Sequence, residues 1–273
     1  MRAALIIAGQ EIRDGLRNRW IVALTLLLAG FSLTLTFLGS APTGAVGASP
    51  LLVTIVSLSS LSIFLLPLIG LMLSFDSIVG EVERGTMLLL LAYPVARWQV
   101  LTGKFLGHLA ILTFATVVGY GAAGVVAAGE GVTADTWVAF ASMVASSVAL
   151  GGVFLAIGYL ISTSVRERAT AAGIAIGVWI FFVLVYDMAL LGLLVGAGEK
   201  VAGGLFHALL LANPTDAYRL LNFTGFDNVA AFSGSIGMLG NAKISLLALA
   251  LVQLAWISVP LVITGYLFKR KDI

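Results

Sequence analysis

Six long apolar stretches alternate with polar ones along these 273 residues. They run at about Trp20–Leu38, Leu51–Phe75, Phe105–Ala128, Trp137–Thr163, Ala169–Val195 and Ile244–Phe268. A helix needs roughly 20 apolar residues to cross a bilayer core, so each stretch is long enough to span. The pattern before the first is different. Leu5, Ala8, Ile12, Leu16 and Trp20 recur on one side of a helix, while Glu11, Arg13, Asp14, Arg17 and Asn18 fall on the other. That spacing predicts an amphipathic helix over 1–19 lying at a membrane interface. A cleaved signal peptide is the rival reading, but the polar-faced lead and the apolar run after it are together too long for one. The expected architecture is an all-α polytopic membrane protein: an interfacial helix over 1–19, then a single domain of six transmembrane helices over 20–273.

Composition agrees with this. The chain is 60% apolar and 10% charged, against about a quarter charged in soluble domains. It has no cysteine, which excludes disulfides and thiolate metal sites. Net charge is near zero, so the placement of charge matters more than its sum. Lys and Arg gather before the first span, between spans two and three, between four and five, and after the sixth; only Lys200, Arg219 and Lys243 lie on the other side. The positive-inside rule then puts both termini in the cytoplasm. Within the spans, Pro67 is expected to kink the second helix. Gly173 and Gly177 form a GxxxG suited to helix packing. The serines at 57, 59, 60 and 62 suit either packing or a dimer seam.

Two connections are long. The first, 76–104, carries "GEVERGTMLLLLAYP". Its "MLLLLAY" makes roughly 10 Å of helix at 1.5 Å per residue, too short to cross. Gly85 allows a turn, Thr86 suits an N-cap, Glu81 and Glu83 suit the positive end, and Pro94 stops the helix. Its leucines need a cover: the bilayer surface, the chain's own bundle, or a separate protein. The second connection, 196–243, faces the other way. Asn213 is a good N-cap and Pro214 a good first residue for a helix to about Phe223, with Asp216 three residues beyond the cap. Phe226, Phe232, Ile236 and Met238 follow.

Three segments carry a resemblance: "QEIRDGLRNRW", "LLPLIGLMLSFDSIVGEVERGTMLLLLAYPVARWQVLTGKFLGH" and "NPTDAYRLLNF". The second resembles the loop of ABC-2-type permeases, and the three together resemble the NosY-type permeases of nitrous oxide reductase maturation. The likeness runs through the whole chain. It implies an ABC-2 permease fold of the type V exporter-like kind, a homodimer in a bacterial inner membrane, two cytoplasmic ATPase subunits that bind ATP and Mg, and a periplasmic partner that handles copper. It implies that Glu81, Glu83, Arg84, Gly85, Thr86, Leu88, Leu89 and Pro94 belong to a coupling helix touching the ATPase. It favours Asn213, Pro214, Asp216, Tyr218 and Arg219 as contacts with an external protein. The same loop and topology also suit an exporter of a small molecule or lipid-linked substrate.

The remaining chemistry narrows the role. The one Gly-Lys pair, Gly103-Lys104, is followed by Phe105 and has Trp98 where a P-loop needs its first glycine. If ATP drives this protein, a separate chain supplies it, and no cofactor is expected on this one. A Cu(I) path would need stacked soft ligands. His108, His207 and Met72, Met87, Met143, Met188 and Met238 are scattered, so no metal site is expected. The methionines read as core filling and His108 as a satisfied polar group. No hydrolase constellation is present, which speaks against an enzyme. Asp187 is the one acid deep in a span. It costs a few kcal/mol there unless it is protonated, pairs with a dimer mate's polar group or faces a water-filled vestibule, which makes it a functional-site candidate; alternatively the fifth span starts or ends differently and Asp187 lies near the outer interface.

Overall fold

The computed structural model describes residues 2–17, 19–39, 50–128, 132–197, 203–223 and 245–271. Its regular elements there are all helical. The amphipathic lead is α1 (Arg2–Arg17). The membrane helices are α2 (Arg19–Gly39), α3 (Pro50–Ser74), α6 (Arg97–Ala127), α7 (Ala134–Ser164), the pair α8 (Arg168–Ile180) and α9 (Tyr186–Ala197), and α12 (Leu246–Arg270). Short helices fill the two long connections: α4 (Val79–Glu83) and α5 (Thr86–Leu91) in the first, α10 (Gly203–Leu211) and α11 (Pro214–Phe223) in the second. Five of the stretches are long and apolar enough to cross a membrane, and Val22–Leu38 is a shorter apolar one.

Helix α7 is the axis of the bundle. Its most apolar stretch is 72% buried, against 17% for α8–α9 and for α12. Leu150, Val153, Phe154 and Tyr159 have no exposed surface, and α3, α6 and α12 pack round it. The outer helices present Ile176, Phe181, Leu184, Leu254 and Val262 outward, as lipid-facing helices do. A chain of hydroxyls in the core is paired, which hydrocarbon favours. Ser62 hydrogen-bonds with Tyr120 at 2.8 Å and Ser147 at 3.2 Å, and Ser147 with Tyr218 at 2.8 Å. The serine stripe of α3 therefore divides: Ser59 and Ser62 face inward and Ser60 is exposed.

Several expectations change in detail. The third span begins at Arg97 rather than Phe105. Pro94 prevents a helix across the loop, Val95 and Ala96 precede the new start, and the Ala96 N–H donates to the Gln99 side chain at 3.0 Å. Residues 97–104 therefore belong to α6 and not to the loop. Helix α3 continues through Pro67. A Cβ on Gly173 or Gly177 would meet nothing within 4 Å among the described residues, so that GxxxG makes no close helix contact there. The close approach is made at Gly103 and Gly107 of α6. A Cβ there would come within 2.7 Å of the Ala4 carbonyl oxygen and 2.6 Å of the Glu11 Cβ. Helix α1 lies backbone against backbone on that pair, turning Ala4, Ile7 and Ala8 inward and leaving Leu5 and Ile6 65% and 70% exposed. Glu11, expected on the solvent side, faces α6.

The fifth span is interrupted by a π-helical turn, Phe181–Val185, between α8 and α9. Such a turn leaves a carbonyl without its usual helical partner. Here the Phe182 carbonyl accepts from Asn213 Nδ2 at 3.1 Å and Thr215 Oγ1 at 3.3 Å.

Candidate functional site

The loop at the basic end of the bundle is built from two short helices meeting at Gly85, whose φ of 73° lies in the left-handed region where glycine alone is unstrained. Gly85, not Thr86, is the N-cap of α5. Thr86 is the first helical residue, and its hydroxyl donates back to the Glu81 carbonyl at 3.2 Å. The expected cap moves one position because only glycine fits the turn. One side of α5 is anchored: Met87 is fully buried against Ile78, Val100, Tyr159 and Phe268. The other side is bare, with Leu88 and Leu89 55% and 70% exposed and Tyr93 and Trp98 exposed beyond them.

The rest of the loop is tied to the ends of α7 and α8, and beside it the start of α6 is joined to the end of α12 and that end to α7. Ser162 Oγ near the end of α7 accepts from Ile78 N and Val79 N, both at 3.0 Å. The Glu83 carboxylate accepts from Arg168 N at the start of α8, at 2.6 Å, in the place where a helix favours negative charge. Asp76 lies 3.0 Å from the Arg168 guanidinium and 3.7 Å from that of Arg84. Arg97 donates to the carbonyls of Phe268 at 2.6 Å and Lys271 at 2.8 Å, covering the end of α12. Lys271 in turn donates to the carbonyls of Thr163 and Val165 at 2.9 and 2.7 Å, covering the end of α7.

Behind the loop lies a buried ionic cluster. Lys104, 3% exposed, donates to Glu11 of α1 and to Glu81 of α4, the latter at 2.6 Å. Glu11 also lies 3.4 Å from His108 Nε2. The other His108 nitrogen is 2.7 Å from the Tyr159 hydroxyl and 3.4 Å from Ser77 Oγ, so His108 is a partnered polar group. Of these residues, sequence reasoning singled out Glu81 and His108 but not Lys104, whose carboxylate partners lie 93 and 23 positions away.

A second ionic cluster sits at the opposite end. Arg219 of α11 donates to Asp187 of α9 at 2.8 Å and to Asp216 at 2.9 Å. Asp187 is thus paired within its own chain. Asn213 caps α11 as expected, its Oδ1 accepting from Thr215 N at 3.1 Å, and its Nδ2 also donates to Asp216 at 3.0 Å. Burial, then the charge of Asp187, pushes the Asp216 carboxyl up to about 7, with Arg219 pulling the other way. Asn213, Pro214, Asp216 and Tyr218 are buried and the Arg219 side chain is 18% exposed. The side chains expected to meet an external protein are engaged inside the chain, because they hold the π-helical turn and the start of α11. Phe226, Phe232, Ile236 and Met238 lie outside the described residues. Met87 and Met143 are core residues, whereas Met188 is 76% exposed.

Comparison with known proteins decides the family. The description "ABC-2 family transporter protein" matches residues 5–273. The chain belongs to that family. It is 45% identical over 97% of its length, and 97% of the relative's, to a "Probable ABC transporter permease protein NosY" of Stutzerimonas stutzeri. It is 45% identical, over 98% of both chains, to the protein of the same description in Pseudomonas aeruginosa. An ABC-2 transporter permease is a multi-pass membrane subunit that works with ATPase subunits, and the bare leucines of α5 are read below in that light.

Proposed function

We propose that this chain is the non-catalytic permease subunit of a copper-maturation transporter, present as a homodimer in a bacterial inner membrane with both termini in the cytoplasm. A separate ATPase docks on Leu88 and Leu89. The chain passes the resulting movement to a periplasmic copper-handling protein that serves nitrous oxide reductase, and it does not conduct the metal. The observation that carries this reading is the two-sidedness of α5. Met87 holds the helix to the bundle, in one core cluster with Phe268 of α12, while two adjacent leucines stand bare, on a loop that runs into α6 and is tied to the ends of α7 and α8. A helix so held passes a push to four membrane helices. The names of the two NosY relatives support the copper assignment. The dispersal of the methionines, two of them in separate core clusters, supports transmission over conduction.

The test is purification of the tagged chain in mild detergent with identification of co-purifying proteins. The expected result is an ATPase and an external copper-handling protein. Leu88→Asp with Leu89→Asp should lose the ATPase while the chain still dimerises; an ATPase retained undiminished would overturn the docking reading. Glu83→Lys and Gly85→Pro should abolish copper loading of the reductase, and normal loading in either would count against the coupling role.

A further inference from the structure

We propose that Lys104 is the positioning residue that makes α1 move with the coupling loop. This deepens the coupling reading above and rests on it. Helix α5 is tied to α4 through the short turn at Gly85 and through the Thr86 hydroxyl on the Glu81 carbonyl. The Glu81 carboxylate holds Lys104, and Lys104 holds Glu11 on α1. One ammonium therefore bridges two carboxylates from elements far apart in sequence. Lysine offers three donors on a compact charge, so it serves two acids approaching from different directions. Glycines flank it. Gly103 and Gly107 let α1 lie directly on α6, which brings Glu11 within reach. Glu11 also lies 3.4 Å from His108 Nε2, and His108 is itself held by Tyr159.

The consequence is mechanical. The ammonium is almost wholly buried and its carboxylates are mostly so. Pulling Glu81 away from Lys104 would strip the buried ammonium of one of its two carboxylates, which is costly. A displacement of the loop is followed by Lys104 and Glu11 together. The push reaches α1, and beyond it α2, rather than ending at α6.

The experiment uses the full complex of this chain with its ATPase subunits in lipid nanodiscs, nucleotide-free or trapped with ATP and vanadate. Amide exchange is followed in segments 2–17 and 79–91. In the unaltered protein both segments should change on trapping. In Lys104→Met, 79–91 should still respond while the response of 2–17 is lost, and Lys104→Arg should restore it. A response of 2–17 in Lys104→Met equal to the unaltered protein, or none in the unaltered protein while 79–91 responds, overturns the proposal. So does a uniform rise of exchange in both nucleotide states with the difference preserved, the mark of a merely structural residue. Should Lys104→Met fail to assemble, Glu11→Gln weakens only the α1 arm and must give the same split. Failure of the coupling reading itself looks different: no ATPase retained, or neither segment responding.

Discussion

The two ends of the bundle solve a similar electrostatic problem in different ways. At each end one cation is shared by two carboxylates: Lys104 by Glu11 and Glu81, Arg219 by Asp187 and Asp216. At the basic end the acids come from α1 and α4 and the cation from α6, so three separate elements are joined. At the opposite end Asp216 and Arg219 share one helix, three residues apart, and only Asp187 comes from elsewhere. The first arrangement links bodies; the second stiffens one. Solvent differs too. Glu11, Glu81 and Asp187 keep 20%, 22% and 25% of their side-chain surface, whereas Asp216 keeps 1%. Carboxylates that reach water can tolerate losing their cation, and a sealed one cannot.

Breaking each cluster tests that contrast. Arg219→Ala should be the most damaging change, about 3–5 kcal/mol for a buried acid left without its partner, read as a lower unfolding temperature in detergent. Adding Asp216→Asn should recover part of the loss. Lys104→Met should cost less, about 1.5–3 kcal/mol, because its two acids can hydrate. Asp216 should also carry a pH dependence. An acid whose native pKa is raised keeps a proton that the unfolded chain releases. Its contribution to stability should therefore fall as pH rises from about 4, where unfolded Asp titrates, to about 7, where the native group does, and then level off. Asp216→Asn should flatten that slope; an unchanged slope would remove Asp216 from the account. Gly103→Ala should cost about 1–3 kcal/mol by overpacking, since its Cβ meets backbone. Gly173→Ala should be the mildest, neutral or slightly stabilising, as alanine is the better helix former and nothing stands near.

Most of the architecture could be read from the apolar runs, because membrane helices must be long and continuous in their greasiness. The cap of α11 at Asn213, the punctuation of the loop by Gly85 and Pro94, and a partnered His108 were legible for similarly local reasons. What escaped was long-range. Glu11 looked like a solvent residue because an amphipathic pattern assigns every acid to the wet face, and nothing near it announces a cation 93 positions on. Asp187 and Arg219 lie 32 apart, across a connection of unknown path. The π-helical turn has no composition signal, so the inward use of Asn213 and Thr215 could not be anticipated. One signal was visible and unused: Gly103 and Gly107 have the same spacing as Gly173 and Gly177, and beside them sits the lone lysine of that helix.

The clasp formed by Arg97 and Lys271 also orders assembly in time. The carbonyls of Thr163 and Val165 are made long before the ammonium that satisfies them, and Arg97 waits likewise for the end of α12. A nascent chain stalled before that helix would hold α7 with its terminus unsealed. The bundle is latched only when α12 has been inserted.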